Sequence, residues 1–498
     1  MRLARPASLR LSLATLTCVV LTIACGDDDA TMPGDDAGPS GLDASTPPRD
    51  ATALPSDGAA HDDGASPPAD GGVTPSDAGV LPPIRDDALL PEWRWDEKAA
   101  RVIDPGALDA AWAATGFSLP PSSELYAARI VPGVDGPAYV LYEAGGGAFS
   151  QDFWPASTVK LLSTLGALDF IGTLGFTGAA TVTFDSGFSD VVSAIYDRAI
   201  RVSSNIDYVR TFRIAGFDRL NVEFLAPDNG FPTTILQRSY VSGVSVRTVP
   251  GFTLTEGAHT DYVPARDTST SYGCPVDGNC ADLFELTEAV RRVMLNDELP
   301  AADRFSLAPA DLAGVQDALC GADPSFFRAG VDATLGPAAR VCHKPGWVPD
   351  NDCLDHALVD DAASGERYLL AASTPVGAAL TECDLLAGMA SSTITALRAA
   401  TTGTPLQHDA GPVITVQLDD HGTSAGRRAY TITVDAPGAD RVELFVDRTA
   451  LGEVSAAGPR FALDYAFSVG GERLLVVRAW SGAAQHAYRA LRVAITAP

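Results

Sequence analysis

The segment that most constrains this chain runs from Phe153 to Leu168. It reads as a loop ending at Pro155 and then a helix, with Leu161, Leu162, Leu165 and Leu168 giving it an apolar face. Ser157 and Lys160 are three residues apart, so a helix places them on one face. A hydroxyl beside an amine is a nucleophile with its own base, provided the amine can lose its proton. The start of the helix adds partial positive charge where an oxyanion would form.

Taken alone, Pro155-Ala156-Ser157-Thr158 also describes a plain helix start with an exposed lysine after it. Lysine usage argues against the plainer reading. The chain has three lysines, Lys98, Lys160 and Lys344, against 32 arginines. Arginine serves wherever fixed positive charge suffices, whereas lysine can deprotonate when it is desolvated. Two of the three lysines lie in motifs that carry chemistry.

A length of 498 residues leaves room for more than one domain, and the net charge of -28 argues against nucleic acid and against anionic lipid surfaces as partners. Residues 1–24 have the form of a signal peptide: Arg2, Arg5 and Arg10 precede an apolar run from Leu11 to Ala24. The following Cys25, after small Ala24, fits a bacterial lipoprotein cleavage site. The mature chain is therefore expected outside the cytoplasm, on a membrane through a lipid anchor at Cys25. Residues 25–88 read as a disordered tether, for residues 26 to 88 hold 14 Asp against 2 Arg and few large apolar side chains. Six further cysteines, Cys274, Cys280, Cys320, Cys342, Cys353 and Cys383, suggest three disulfides in an exported chain. A local bridge would close the turn-rich loop between Cys274 and Cys280, and the other pairings stay open. No zinc-type Cys/His spacing occurs, so neither metal nor cofactor is expected.

An α+β domain is expected over residues 89–402. A helix near Leu108–Thr115 precedes a hairpin of Glu124–Val131 and Pro137–Glu143, and helices and loops fill residues 180 to 300. Those helices include Ser189–Ala199 and Leu283–Leu295, with a long polar loop from about Val241 to Asn279. Strands return at Ala338–Trp347, Leu354–Asp360 and Arg367–Ser373, and a last helix spans Asp384–Ala399. The order implies an antiparallel sheet built from distant segments and covered by helices. Residues 411–498 then break into six short alternating runs between Gly, Pro and Asp turns, the pattern of an all-β, immunoglobulin-like sandwich.

Two more motifs follow the first in order: Val202-Ser203-Ser204-Asn205 after a helical stretch, and Cys342-His343-Lys344-Pro345-Gly346-Trp347 on a strand. Each is weak singly. With Phe153-Trp154-Pro155-Ala156-Ser157-Thr158-Val159-Lys160, the set resembles the serine β-lactamase and D-alanyl-D-alanine peptidase superfamily, in its class A-like branch. The likeness extends through Asn205-Ile206-Asp207-Tyr208, Gly216–Asn221 and Arg266-Asp267-Thr268-Ser269-Thr270. It implies that Ser157 is the acylated nucleophile and Lys160 its proton acceptor. Ser203, assisted by Lys344, would pass a proton to the leaving nitrogen, and Asn205 would bind the substrate amide. Gly346 and Trp347 would line the substrate strand, with the N–H groups of Ser157 and Trp347 as the oxyanion hole.

The chain departs from that family twice. Pro345 replaces the hydroxyl residue of Lys-Thr/Ser-Gly, and no Glu-x-x-Leu-Asn-like loop supplies a deacylating glutamate. Glu256 is the carboxylate of that type in the lengthened loop, with Asp261 a poorer one. The resemblance implies a lipid-anchored serine hydrolase acting on a β-lactam or related amide. A peptidoglycan D-Ala peptidase or an esterase would use the same chemistry, and a non-catalytic surface protein would retain the fold for binding.

Overall fold

The computed structural model describes residues 101–498 apart from 103–104, 133–135, 146–152, 227–228, 232, 269–273, 275–277, 401–413, 447–448, 456–457, 469 and 482–483. The expected signal peptide, Cys25, the expected tether and the expected start of order near Leu89 lie outside the described residues.

The chain opens with β1 (Arg101–Val102), α1 (Pro105–Thr115) and the hairpin β2 (Glu124–Pro132) and β3 (Pro137–Ala144). A 3₁₀ turn, Ala156–Val159, leads into α2 (Lys160–Thr173). This differs from the expected start at Pro155: the first turn is wound tighter, and Lys160 is the first α-helical residue. After β4 (Thr181–Phe184) and β5 (Ser189–Val191) come α3 (Val192–Arg201) and α4 (Asn205–Ala215). The helix expected from Ser189 starts three residues later because Ser189–Val191 pairs with β4.

The region read as one long polar loop holds β6 (Thr248–Val249), β7 (Phe252–Glu256), β8 (His259–Val263) and β9 (Arg266–Asp267). There, Phe252, Leu254 and Val263 are buried, and that short period-2 pattern draws the hairpin onto β4. Then follow α5 (Leu283–Met294), α6 (Pro309–Cys320), α7 (Arg328–Leu335), β10 (Arg340–His343), β11 (Gly346–Trp347), β12 (Asp352–Asp361), β13 (Glu366–Pro375) and α8 (Leu385–Ala400).

Among the described residues, seven strands form the central sheet in the order β1-β3-β2-β13-β12-β10, with β11 also on β12. Its strands serve two cores by alternation. Tyr126, Ala128 and Ile130 of β2, with Leu369 and Ala371 of β13, face the core that includes α2 to α6. Leu125, Ala127, Leu370 and Ala372 face the core holding Leu108 and Trp112 of α1, Val331 of α7 and Met389 and Ile394 of α8. α2 runs through the first core, and all residues from Lys160 to Leu168 are buried. A Cβ on its Gly166 would lie 2.4 Å from the Leu220 side chain, so glycine lets the helical turn Arg219–Phe224 pack this closely.

The cysteines pair as Cys274–Cys280, Cys320–Cys342 and Cys353–Cys383, which agrees with the local bridge read from sequence and fits an oxidising compartment. Among the described residues, no helix is long and apolar enough to cross a membrane.

Two antiparallel sheets follow at the C-terminal end. One has the order β14 (Thr415–Ser424), β15 (Arg427–Asp435), β18 (Arg460–Phe467). The other has the order β17 (Thr449–Ser455), β16 (Arg441–Val446), β19 (Gly471–Ser481), β20 (Ala484–Ile495). β17 is the strand that the sequence pattern missed. Arg478 of β19 reaches Glu143 of β3 at 3.1 Å, with both side chains almost fully buried.

Candidate active site

Three separate segments meet at the N-terminal end of α2. Ser157 sits in the 3₁₀ turn, and its carbonyl accepts the backbone N–H of Lys160. The Lys160 side chain is fully buried. Its Nζ lies 2.7 Å from the Asn205 Oδ1 and 3.1 Å from the Ser203 Oγ, and it also bonds the Ser203 carbonyl. Lys344 Nζ reaches the same Ser203 Oγ at 2.9 Å and the Pro345 carbonyl at 3.0 Å. One hydroxyl is thus bracketed by two buried amines.

Local sequence explains the aim of these groups. Ser204 caps α4, its side chain accepting the Asp207 N–H at 3.2 Å. Ser203, just before the cap, has φ +58°, a left-handed conformation uncommon for a side chain of this kind. Ala156, just before Ser157, is also left-handed at φ +47°.

Burial pushes the Lys160 amine well below its ordinary value, the nearby Lys344 adds to this, and Asp207 opposes it. Asp207 is held ionised by Arg198 and Arg210 against the cost of its own burial. Burial also lowers Lys344, to about 7, against the pull of Asp355. Both amines are thereby eased toward their neutral, proton-accepting form, and both lie within hydrogen-bond reach of one shared hydroxyl.

The strand side of the site is set by register. His343 pairs with Ala357 and Gly346 with Leu354, while the Lys344 N–H bonds the His356 carbonyl and the Val348 N–H that of Asp352. Residues 344, 346 and 348 therefore bond into the sheet, and 345 and 347 face its open edge. Pro345 loses no ladder bond there, and the Trp347 N–H is directed away from β12. Gly346 packs against the serine turn. A Cβ at that position would lie 3.0 Å from the Ala156 Cβ and the Thr158 Cγ2, and 3.2 Å from the Pro155 carbonyl.

Glu256 does not join this group. Its carboxylate takes the Thr177 N–H at 2.8 Å and the Thr177 hydroxyl at 2.7 Å, and these bonds hold it below the usual carboxylate range. Thr177 lies beyond the C-terminal end of α2, whereas Lys160 begins that helix. Its 14 residues span roughly 21 Å at 1.5 Å per residue. The suggestion that Glu256 reaches an acyl group on Ser157 is therefore corrected, and Asp261 goes with it on the exposed strand β8.

The cleft over Ser157 has a volume of about 450 Å³. Beyond Ser157, Asn205 and Trp347, it is lined by Trp154 and by the loop Arg238–Ser242. Among the described residues, none of the lining side chains is a carboxylate. That loop was missed in the sequence, where Asn279 inside the cysteine-flanked segment was the available signal. Three buried side chains hold it. Glu285 accepts the N–H and hydroxyl of both Thr233 and Thr234 at 2.6–2.8 Å. Asn221 exchanges bonds with Leu236 at 2.7 and 2.8 Å. Asn279 Oδ1 accepts the N–H groups of Gln237 and Arg238, each at 2.8 Å.

No protein-family model and no curated protein matches the sequence. Solved structures do. PBP-A is similar at 14% identity and a TM-score of 0.42, over 60% of this chain and 98% of that one. A class A β-lactamase from Bacteroides cellulosilyticus is similar at 12% identity and 0.40, over 59% of this chain and 99% of that one. A β-lactamase from Sphaerobacter thermophilus is similar at 15% identity and 0.38, over 61% of this chain and 100% of that one. By the order of its motifs the chain resembles the serine β-lactamase and D-alanyl-D-alanine peptidase superfamily.

Proposed function

We propose that the protein is an extracytoplasmic serine hydrolase of the β-lactamase-related type, working through an acyl-enzyme on Ser157. The observation that carries this reading is the Ser203 hydroxyl held between the Lys160 and Lys344 amines, 3.1 and 2.9 Å away. Lys160, kept neutral by burial, takes the Ser157 proton as the hydroxyl attacks a carbonyl carbon. Ser203 then passes a proton to the leaving nitrogen or oxygen, and Lys344 steadies the charge that moves. Asn205 has its oxygen turned to Lys160, which leaves its amide N–H₂ for the substrate's acyl amide. Ser157 and Trp347 donate their N–H groups to the tetrahedral oxyanion. Gly346 lets the strand lie close enough for both donors to reach one oxygen.

The substrate class is a β-lactam, a peptidoglycan-derived amide or a small ester. Among the described residues no carboxylate lines the cleft to deprotonate a water against the adduct, which favours its slow hydrolysis. Cys25 as lipid anchor, residues 25–88 as tether, residues 89–402 as the catalytic domain and residues 411–498 as an immunoglobulin-like sandwich complete the reading. The last is supported by the two C-terminal antiparallel sheets.

Intact-protein mass after incubation with a penicillin and with a small ester tests it. A stoichiometric, long-lived adduct on Ser157 is expected, absent from Ser157→Ala and nearly absent from Lys160→Arg, since arginine keeps the charge but does not accept a proton. Equal labelling of Ser157→Ala would remove the assignment. Rapid multiple turnover of penicillin by the wild type would show that another group activates water.

A further inference from the structure

Tyr240 touches the nucleophile turn from the loop side. Its Oη donates to the Ala156 carbonyl at 2.5 Å. The same oxygen accepts from Asn279 Nδ2 at 2.9 Å, and that nitrogen also reaches Tyr208 Oη at 3.3 Å. Tyr208 stacks on Tyr240 with ring centroids 4.8 Å apart and donates to the Arg238 carbonyl at 3.0 Å. Every group of Asn279 is then used: two N–H groups arrive at its oxygen and two phenols receive its amide. The residue is 1% exposed and adjoins Cys280, whose bridge to Cys274 closes the loop around it.

The Ala156 carbonyl and the Ser157 N–H belong to one peptide plane and, in a trans peptide, point in opposite directions. A phenol that fixes the carbonyl oxygen therefore fixes where the N–H points. It also withdraws electron density through the amide, which makes the N–H a better donor. Ala156 needs such a fixture, because its left-handed φ of +47° places this plane in a sparsely populated orientation. The other proposed oxyanion donor, Trp347, has its orientation from the sheet.

We propose that Tyr240, oriented by Asn279, is the positioning residue of the oxyanion hole: it aims and polarises the Ser157 N–H through the Ala156 carbonyl. This rests on the serine acyl-transfer reading given above. Tyr240 does not touch the reacting atoms, and its effect belongs to the transition state rather than to substrate binding.

The test follows acylation of the full chain by a penicillin, read by intact mass, and by a p-nitrophenyl ester, read by nitrophenolate release. Tyr240→Phe keeps the ring and the stacking and removes one hydroxyl. It is expected to lower the limiting acylation rate about tenfold and to leave the half-saturating concentration within about twofold. Asn279→Ala is expected to shift the rate in the same direction. The double variant is expected to be no slower than the slower single one, since both act through one chain of bonds. Tyr240→Phe acylating at the wild-type rate, a loss confined to half-saturation, or fully additive effects would each overturn the proposal. If the wild type itself forms no Ser157 adduct, the acyl-transfer reading falls and this inference falls with it. A labelled wild type with an unaffected Tyr240→Phe refutes the inference alone.

Discussion

One wall of the cleft is the edge of a sheet and the other is a loop, and they are held by different kinds of bond. β11 is fixed by backbone pairing with β12, in a register continuous from His343 through Trp347. The Cys353–Cys383 and Cys320–Cys342 bridges reinforce the strands beside it. The loop from Thr233 to Tyr240 has one backbone bridge, Ile235 with Cys280, and otherwise hangs on side-chain bonds, those of Glu285, Asn221 and Asn279 with others from Asp282, Tyr208 and Gln237. A ladder spreads its holding over many equivalent bonds. A few buried side chains concentrate it, so the loop wall should fail at single positions where the strand wall does not.

The largest expected effect is at Glu285. Glu285→Leu leaves the buried N–H groups of Thr233 and Thr234 and the Thr234 hydroxyl without their acceptor, at about 1–3 kcal/mol for each group left unsatisfied. The protein should be destabilised by about 3 kcal/mol or more in denaturant titration. A midpoint equal to wild type would remove the contrast between the walls.

Gly346→Ala is the corresponding probe of the strand wall. The added methyl meets the serine turn at 3.0 Å, and overpacking of this kind costs about 1–3 kcal/mol. Because the turn carries Ser157, acylation should slow with it. Loss of stability at an unchanged acylation rate would mean that the strand yields and the turn does not.

The two walls also answer pH with opposite sign. Thr233 Oγ1 has one hydrogen, yet lies 2.6 Å from Asp282 Oδ2 and 2.7 Å from Glu285 Oε1, so one of these buried carboxyls holds a proton. Burial, and then Glu285, pushes Asp282 well up, while burial raises Glu285 to about 7. The folded chain holds these protons more tightly than the unfolded one. Their contribution is therefore full at low pH and is lost as pH rises from the ordinary glutamate value of 4.5 to about 7. Lys344 is depressed from 10.5 to about 7, so it opposes folding most below 7 and ceases to do so as pH rises to 10.5. In melting curves, Asp282→Asn should flatten the acidic slope at little cost, because its amide can donate to Thr233 as the protonated acid does. Lys344→Met should flatten the alkaline slope. Exchange of the two effects would assign the protons to the wrong walls.

Pro345→Thr should do least to stability, less than about 0.5 kcal/mol, because residue 345 faces the open edge and gains no ladder bond. It should still quicken acylation by a carboxylate-bearing β-lactam more than by a neutral ester, through the added hydroxyl. Equal acceleration of both would show that the hydroxyl does not meet the substrate's charge.

This division also decided what could be read from the sequence. The strand wall is contiguous, so Lys344-Pro345-Gly346-Trp347 announced both its residues and the harmless placement of the proline. Ser157, Lys160, Ser203 and Asn205 lie in short motifs at helix starts, and the fold brings them together. The partners of the loop wall are 15 to 52 residues from what they hold and follow no period. Glu256 was misread for a related reason: a carboxylate in a long loop has no address until the hairpin β7–β8 is seen at the other end of α2. In the C-terminal part, alternation revealed six of the seven strands. β17 escaped because Thr449–Ser455 carries glycine and few large apolar residues.

The Arg478–Glu143 contact has a mechanical consequence. The ion pair, whose partners are each 6% exposed, couples β19 of the C-terminal strands to β3 of the central sheet. Three strands, β2, β13 and β12, separate that point from the one bearing Gly346 and Trp347. Each hydrogen-bonded neighbour shares the shear before it reaches the next. A disturbance passed through this pair would thus reach the strand beside Ser157 only after crossing those three.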